Sequence, residues 1–101
     1  MGYLDMSFTP EFLRAFNHTM LYEVGPWWNP NDPEVIRGAC ATRNQRRKVG
    51  YVNIKEDRGG LTKYGIAQNA NPEVDVQNLN LEGAMRVYFN KYWLAGRCDV
   101  I

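Results

Sequence analysis

With 101 residues, 45% of them hydrophobic, the chain suffices for one small domain around one core and leaves no room for a second catalytic domain. Twelve Lys and Arg against eleven Asp and Glu give a net charge of +1, which excludes a global pull toward nucleic acid or anionic lipid, so charge effects are local. No apolar run reaches bilayer length, "MGYLDMSFTP" lacks the layout of a signal peptide, and one His with two Cys in no C-x-x-C spacing argues against a zinc site. Cys40 and Cys98 are read as two thiols, with a disulfide and contact with another chain left open.

In chain order, "FTPEFLRAFNHTMLYEVGPWW" opens with Thr9 as N-cap, Pro10 at the first helical position and Glu11 near the positive end of the dipole. Phe12, Phe16, Met20 and Glu23 form one stripe, with Leu13 beside it, that is apolar until its last member. Gly25 and Pro26 end the helix, leaving Glu23 in the last turn, where the dipole disfavours a negative charge. His18 is expected on the surface. Residues 26–49 hold three prolines, Trp27 and Trp28 side by side, and the basic run Arg43, Arg46, Arg47 and Lys48, without sustained periodicity; they read as a long, partly ordered loop.

"GYVNIKEDRGGLTKYGIA" reads as a β-hairpin or small sheet: Tyr51, Val52 and Ile54 suit a strand, Gly59 and Gly60 a tight turn, and "LTKYGI" a returning strand closing at Gly65. Residues 68–79 read as a polar loop with a helical turn. Asn80 caps a second helix presenting Leu81, Ala84, Met85, Tyr88 and Tyr92 on one face, weakened by Gly83 and followed by Gly96.

A carboxylate closing an apolar stripe sits where partial burial favours its protonated form, as a general acid requires, whereas Asp57, beside Arg58 and two glycines, stays ionised. Two carboxylates in unlike environments match the division of labour that cleaves glycosidic bonds, and the Thr62 hydroxyl is suited to holding water or a sugar group.

The hairpin resembles the signature of the family 108 glycoside hydrolases, phage-associated N-acetylmuramidases with a pattern close to E-G-G-Y-V-N, a few residues, then D-x-G-G-x-T and G-I. Gly50, Tyr51, Val52, Asn53, Asp57, Gly59, Gly60, Thr62, Gly65 and Ile66 fall in register with it. Leu81, Ala84, Tyr88, Tyr92 and Trp93 are similar to the layout of that family's following helix. The resemblance implies a single α+β lysozyme-like domain over 1–101, with an N-terminal helix, a hairpin over a cleft, a C-terminal helix and an insertion at about 26–49. It also implies the N-terminal catalytic part of such an enzyme, as a fragment, a cleavage product or a domain completed by a partner.

Carried over, Glu23 becomes the general acid, Asp57 the carboxylate that activates water or stabilises positive charge, and Thr62 the water-orienting hydroxyl, with Glu56 the alternate for Asp57. Tyr51, Asn53, Tyr64, Trp27 and Trp28 are the candidates for contacting the glycan. No metal or organic cofactor is implied. The implied activity is hydrolysis of the β-1,4 bond between N-acetylmuramic acid and N-acetylglucosamine in the wall of a phage host, by a virion component or a protein released through a holin. Phage tail or baseplate subunits are expected to meet the 26–49 segment. The competing readings are a non-catalytic structural or glycan-binding module of a tail assembly and a lytic transglycosylase; nucleic-acid binding through 43–48 is the remotest.

Overall fold

The computed structural model describes residues 8–53 and 60–93. Helix α1 spans Pro10–Glu23, and the Thr9 side chain accepts from the Phe12 amide at 3.1 Å. Its stripe of Phe12, Phe16 and Met20 is fully buried, and His18 is exposed. Phe12 meets Phe8, Phe89 and Trp93, and Phe16 meets Trp28 and Tyr88, with ring centroids 5.1–6.0 Å apart.

The long loop expected over 26–49 is instead an ordered excursion holding two short helices, α2 (Pro33–Arg37) and α3 (Arg43–Val49). Each is defined by its ends. Asp32 caps α2 by accepting from the Glu34 amide, and Gly38 closes it in left-handed backbone at φ 74°. Thr42 and Gln45 form a reciprocal capping box on α3, and Gly50 closes it at φ 63°. The Lys48 ammonium lies 2.9 Å from both the Asp32 and Glu34 carboxylates, clasping α3 to α2. Val35, Val49 and Trp28 are core residues, so the excursion contributes to the interior.

Its two ends meet. A Cβ built on Gly50 would lie 3.2 Å from the Val24 side chain and 3.9 Å from the Glu23 carbonyl oxygen, so the chain returns to the point it left at the end of α1.

Three antiparallel strands follow, β1 (Val52–Asn53), β2 (Leu61–Lys63) and β3 (Ile66–Ala67), in that order across the sheet. Val52 faces Thr62, Thr62 faces Ala67, and Lys63 faces Ile66. The single returning strand expected from "LTKYGI" is therefore broken by a two-residue turn. Tyr64 and Gly65 both carry positive φ, 55° and 75°, as a type I′ hairpin requires. The 3-10 turn Val76–Asn78 supplies the helical turn expected in 68–79. Helix α4 (Leu81–Tyr88) begins at the Asn80 cap, buries Leu81, Ala84, Met85 and Tyr88, and continues as a π-helical turn over Phe89–Trp93. The architecture is mixed α+β, helices around a small antiparallel sheet, consistent with a small lysozyme-like domain.

Candidate active site

The site is built around Tyr64. A tyrosine in left-handed backbone costs on the order of 1–3 kcal/mol and persists only where its surroundings over-determine it. Here three helices do so. The Tyr64 amide donates to the Val49 carbonyl at the end of α3 at 2.7 Å, its hydroxyl donates to the Val35 carbonyl of α2 at 2.5 Å, and its own carbonyl accepts from the Tyr88 hydroxyl of α4 at 2.9 Å. The ring is fully buried.

This holds Gly65 against the end of α1. A Cβ on Gly65 would lie 2.7 Å from the Tyr88 hydroxyl oxygen and 3.1 and 3.3 Å from Cγ and Cδ of Glu23. The side chain closing the apolar stripe thus lies against the tip of the β2–β3 hairpin, but Glu23 is exposed rather than partly buried as expected, because the last turn of α1 runs out past the core. The residue in the chain position of the pattern's glutamate, two before Gly50, is Lys48, whose ammonium is taken up by Asp32 and Glu34. Burial pushes the Tyr88 phenol well above its ordinary 10.0, and the Glu23 charge adds to that shift.

Thr62 is half-buried in β2, three residues before Gly65, on the sheet face it shares with Val52 and Ala67. Lys63 points the other way; it is buried, donates to the Gln77 carbonyl at 3.0 Å, and desolvation lowers its pKa. Tyr51 belongs to that second face, its hydroxyl 2.8 Å from Gln77 Oε1, and Asn53, opposite Leu61, is exposed. Cys40 also contacts Gln77 through its sulfur. Asp57, Glu56 and Cys98 lie outside the described residues.

Two of the residues expected to contact sugar are core residues. Trp28 is buried, with its ring near Phe16 and Tyr64 and its Nε1 donating to Asn17 Oδ1 at 2.9 Å. Tyr64 has both its ring and its hydroxyl engaged as described. Neither presents a free face. Trp27 is half exposed, with the Arg47 guanidinium 4.8 Å from its ring centroid.

Several exposed apolar side chains lie near Glu23 in the chain or on elements that pack against its helix end. Leu21 and the almost fully exposed Tyr22 lie on the last turn of α1, Trp27 just beyond it, Val52 two residues after Gly50, and the Tyr92 ring 5.7 Å from that of Tyr88. Sequence reasoning had not singled out Leu21 or Tyr22, although an aromatic next to a helix-end carboxylate was a usable signal, and had read Val52 only as a strand residue of the signature. A separate groove of about 290 Å³ between Ile36, Leu81 and Met85 holds a single carboxylate, Glu82, which is paired with Arg86. Among the described residues no three His, Cys, Asp or Glu side chains converge as metal ligands.

The family model for glycosyl hydrolase 108 matches residues 45–101, more than half of the chain. The chain belongs to that family. The match takes in most of α3, the sheet and α4, and leaves α1 with Glu23 outside it. No curated protein and no solved structure matches the chain. At the level of its family this glycosyl hydrolase 108 protein is directed at peptidoglycan.

Proposed function

We propose that this glycosyl hydrolase 108 protein is an N-acetylmuramidase that cleaves the β-1,4 bond between N-acetylmuramic acid and N-acetylglucosamine. The observation that carries the reading is the packing of Glu23 on the hairpin tip at Gly65, a carboxylate far away in the chain brought to the ribbon that bears Thr62. Glu23 is the general acid. A sugar chain laid over Tyr22 and Trp27 delivers the glycosidic oxygen to its carboxyl. Asp57 is the second carboxylate, stabilising the oxocarbenium-like transition state or activating water, and the Thr62 hydroxyl orients that water. Trp27 holds the glycan, while Tyr51 and Asn53 lie on the sheet face opposite Thr62, with the Tyr51 hydroxyl taken by Gln77.

Digestion of purified peptidoglycan by the wild type and by Glu23→Gln, with fragments resolved by mass, tests this. Hydrated muramic-acid ends are expected from the wild type, and release falls by about 10²- to 10⁴-fold in the variant. Anhydro ends would assign a lytic transglycosylase, and no release by the wild type a glycan-binding module. We also read the protein as phage-borne, reaching the wall from the virion or through a holin; mass spectrometry of purified virions separates the two routes. No helix among the described residues is long and apolar enough to cross a membrane.

A further inference from the structure

Muramic acid differs from other wall sugars in carrying a peptide stem with free carboxylates, so an enzyme acting on it gains affinity from a cation placed beside the sugar track. Four cations occupy 43–48, and two are used internally. Lys48 is clasped by Asp32 and Glu34, and Arg46 donates to the Cys40 and Ala41 carbonyls. Arg47 is different. It is exposed, seated on the Trp27 ring, and among the described residues no carboxylate lies within ion-pair distance of it and no acceptor takes its N–H groups.

Trp27 is also unlike its neighbour. Trp28 shows that the segment can bury an indole, yet Trp27 stays half exposed with Arg47 over it. The pair lies beside the catalytic edge: Trp27 is four residues past Glu23, which bounds their Cα separation at about 14 Å, the reach of a short oligosaccharide. Arg47 precedes by three residues Gly50, which packs on Val24.

We propose that Arg47, held by Trp27, is the specificity-determining residue that binds a carboxylate of the peptide stem on muramic acid. The stacked indole fixes the guanidinium and leaves its donors free for a charge-assisted, bidentate pair with the carboxylate. The excursion of 26–49 thereby acquires a task, carrying a stem reader on a segment whose ends are fixed at the acid.

This inference rests on the muramidase reading, and its test separates the two. In the Glu23→Gln background, calorimetry measures binding of a wall tetrasaccharide bearing tetrapeptide stems and of the same tetrasaccharide stripped of stems by an amidase, with the lactyl carboxylates this uncovers blocked as methylamides. The stem-bearing ligand is expected to bind about tenfold more tightly, the worth of one charge-assisted pair. Arg47→Gln should remove the preference and Arg47→Glu should invert it, which a purely structural role for the arginine would not do. A preference that survives in Arg47→Gln, no preference at all, or no binding of the stem-bearing ligand overturns the proposal. Wild-type digestion that leaves anhydro ends, or no release by the wild type, overturns the muramidase assignment instead, whatever the calorimetry reads.

Discussion

Gly65 serves two purposes that no other residue type meets together. Its φ of 75° is left-handed, and the space where a Cβ would sit is already taken by the Tyr88 hydroxyl and the Glu23 side chain. Gly65→Ala is therefore expected to lower stability by about 1–3 kcal/mol through backbone strain and contact. It should also reduce peptidoglycan release more than the unfolded fraction explains, because the added methyl displaces Glu23, the proposed acid. Thermal unfolding and activity measured on the same sample, well below the transition, check this; parallel losses would make Gly65 a folding residue only. Tyr64 carries the opposite lesson. Read as a sugar contact, it is the residue on which three helices and the sheet converge. Nothing local marks a tyrosine as left-handed and buried; only its long-range partners do.

At the scale of elements, legibility follows length. Helices α1 and α4 are long enough to display an apolar stripe and carry Thr9 and Asn80 as caps, so both were readable. Helices α2 and α3, five and seven residues long, are too short for a stripe, and their signals were the caps alone: Asp32 before Pro33, Thr42 with Gln45, and the closing Gly38 and Gly50. Glu23 as the end of the α1 stripe was legible, but its contact with Gly65 depends on the excursion folding out and back.

The clasp between α2 and α3 gives that excursion a pH signature. Hydrogen bonding from Lys48 lowers Asp32 and Glu34 below their ordinary 3.8 and 4.5, and both carboxylates raise Lys48 above 10.5. The carboxylate contribution is complete above about pH 4.5 and is lost as pH falls through the lowered values. Lys48→Met should therefore flatten the acid limb of the melting temperature plotted against pH. An acid limb unchanged in the variant would show that the clasp is too solvent-screened to count.

For the whole molecule the alkaline side holds two opposed effects. Burial lowers Lys63, so the unfolded chain binds more protons than the folded one between that lowered value and 10.5, and stability rises with pH across the interval. Burial raises Tyr64 and Tyr88 above 10.0, so the folded protein keeps protons that the unfolded chain gives up, and stability falls beyond about pH 10. Melting temperature is expected to climb and then drop on the alkaline side. Lys63→Met should remove the climb and leave the drop; loss of both features would place their origin elsewhere.

Trp27 and Trp28 are consecutive residues in contrasting surroundings, one half exposed under an arginine and the other enclosed among Phe16, Tyr64 and Asn17. In spectroscopic terms they are adjacent lamps with separate switches. Emission from Trp27 is open to a soluble quencher and to a ligand lying over it, and emission from Trp28 changes only when the core opens. Once Trp93 is also replaced by Phe, a pair of single substitutions at 27 and 28 divides the fluorescence of this small protein into a channel for occupancy and a channel for unfolding.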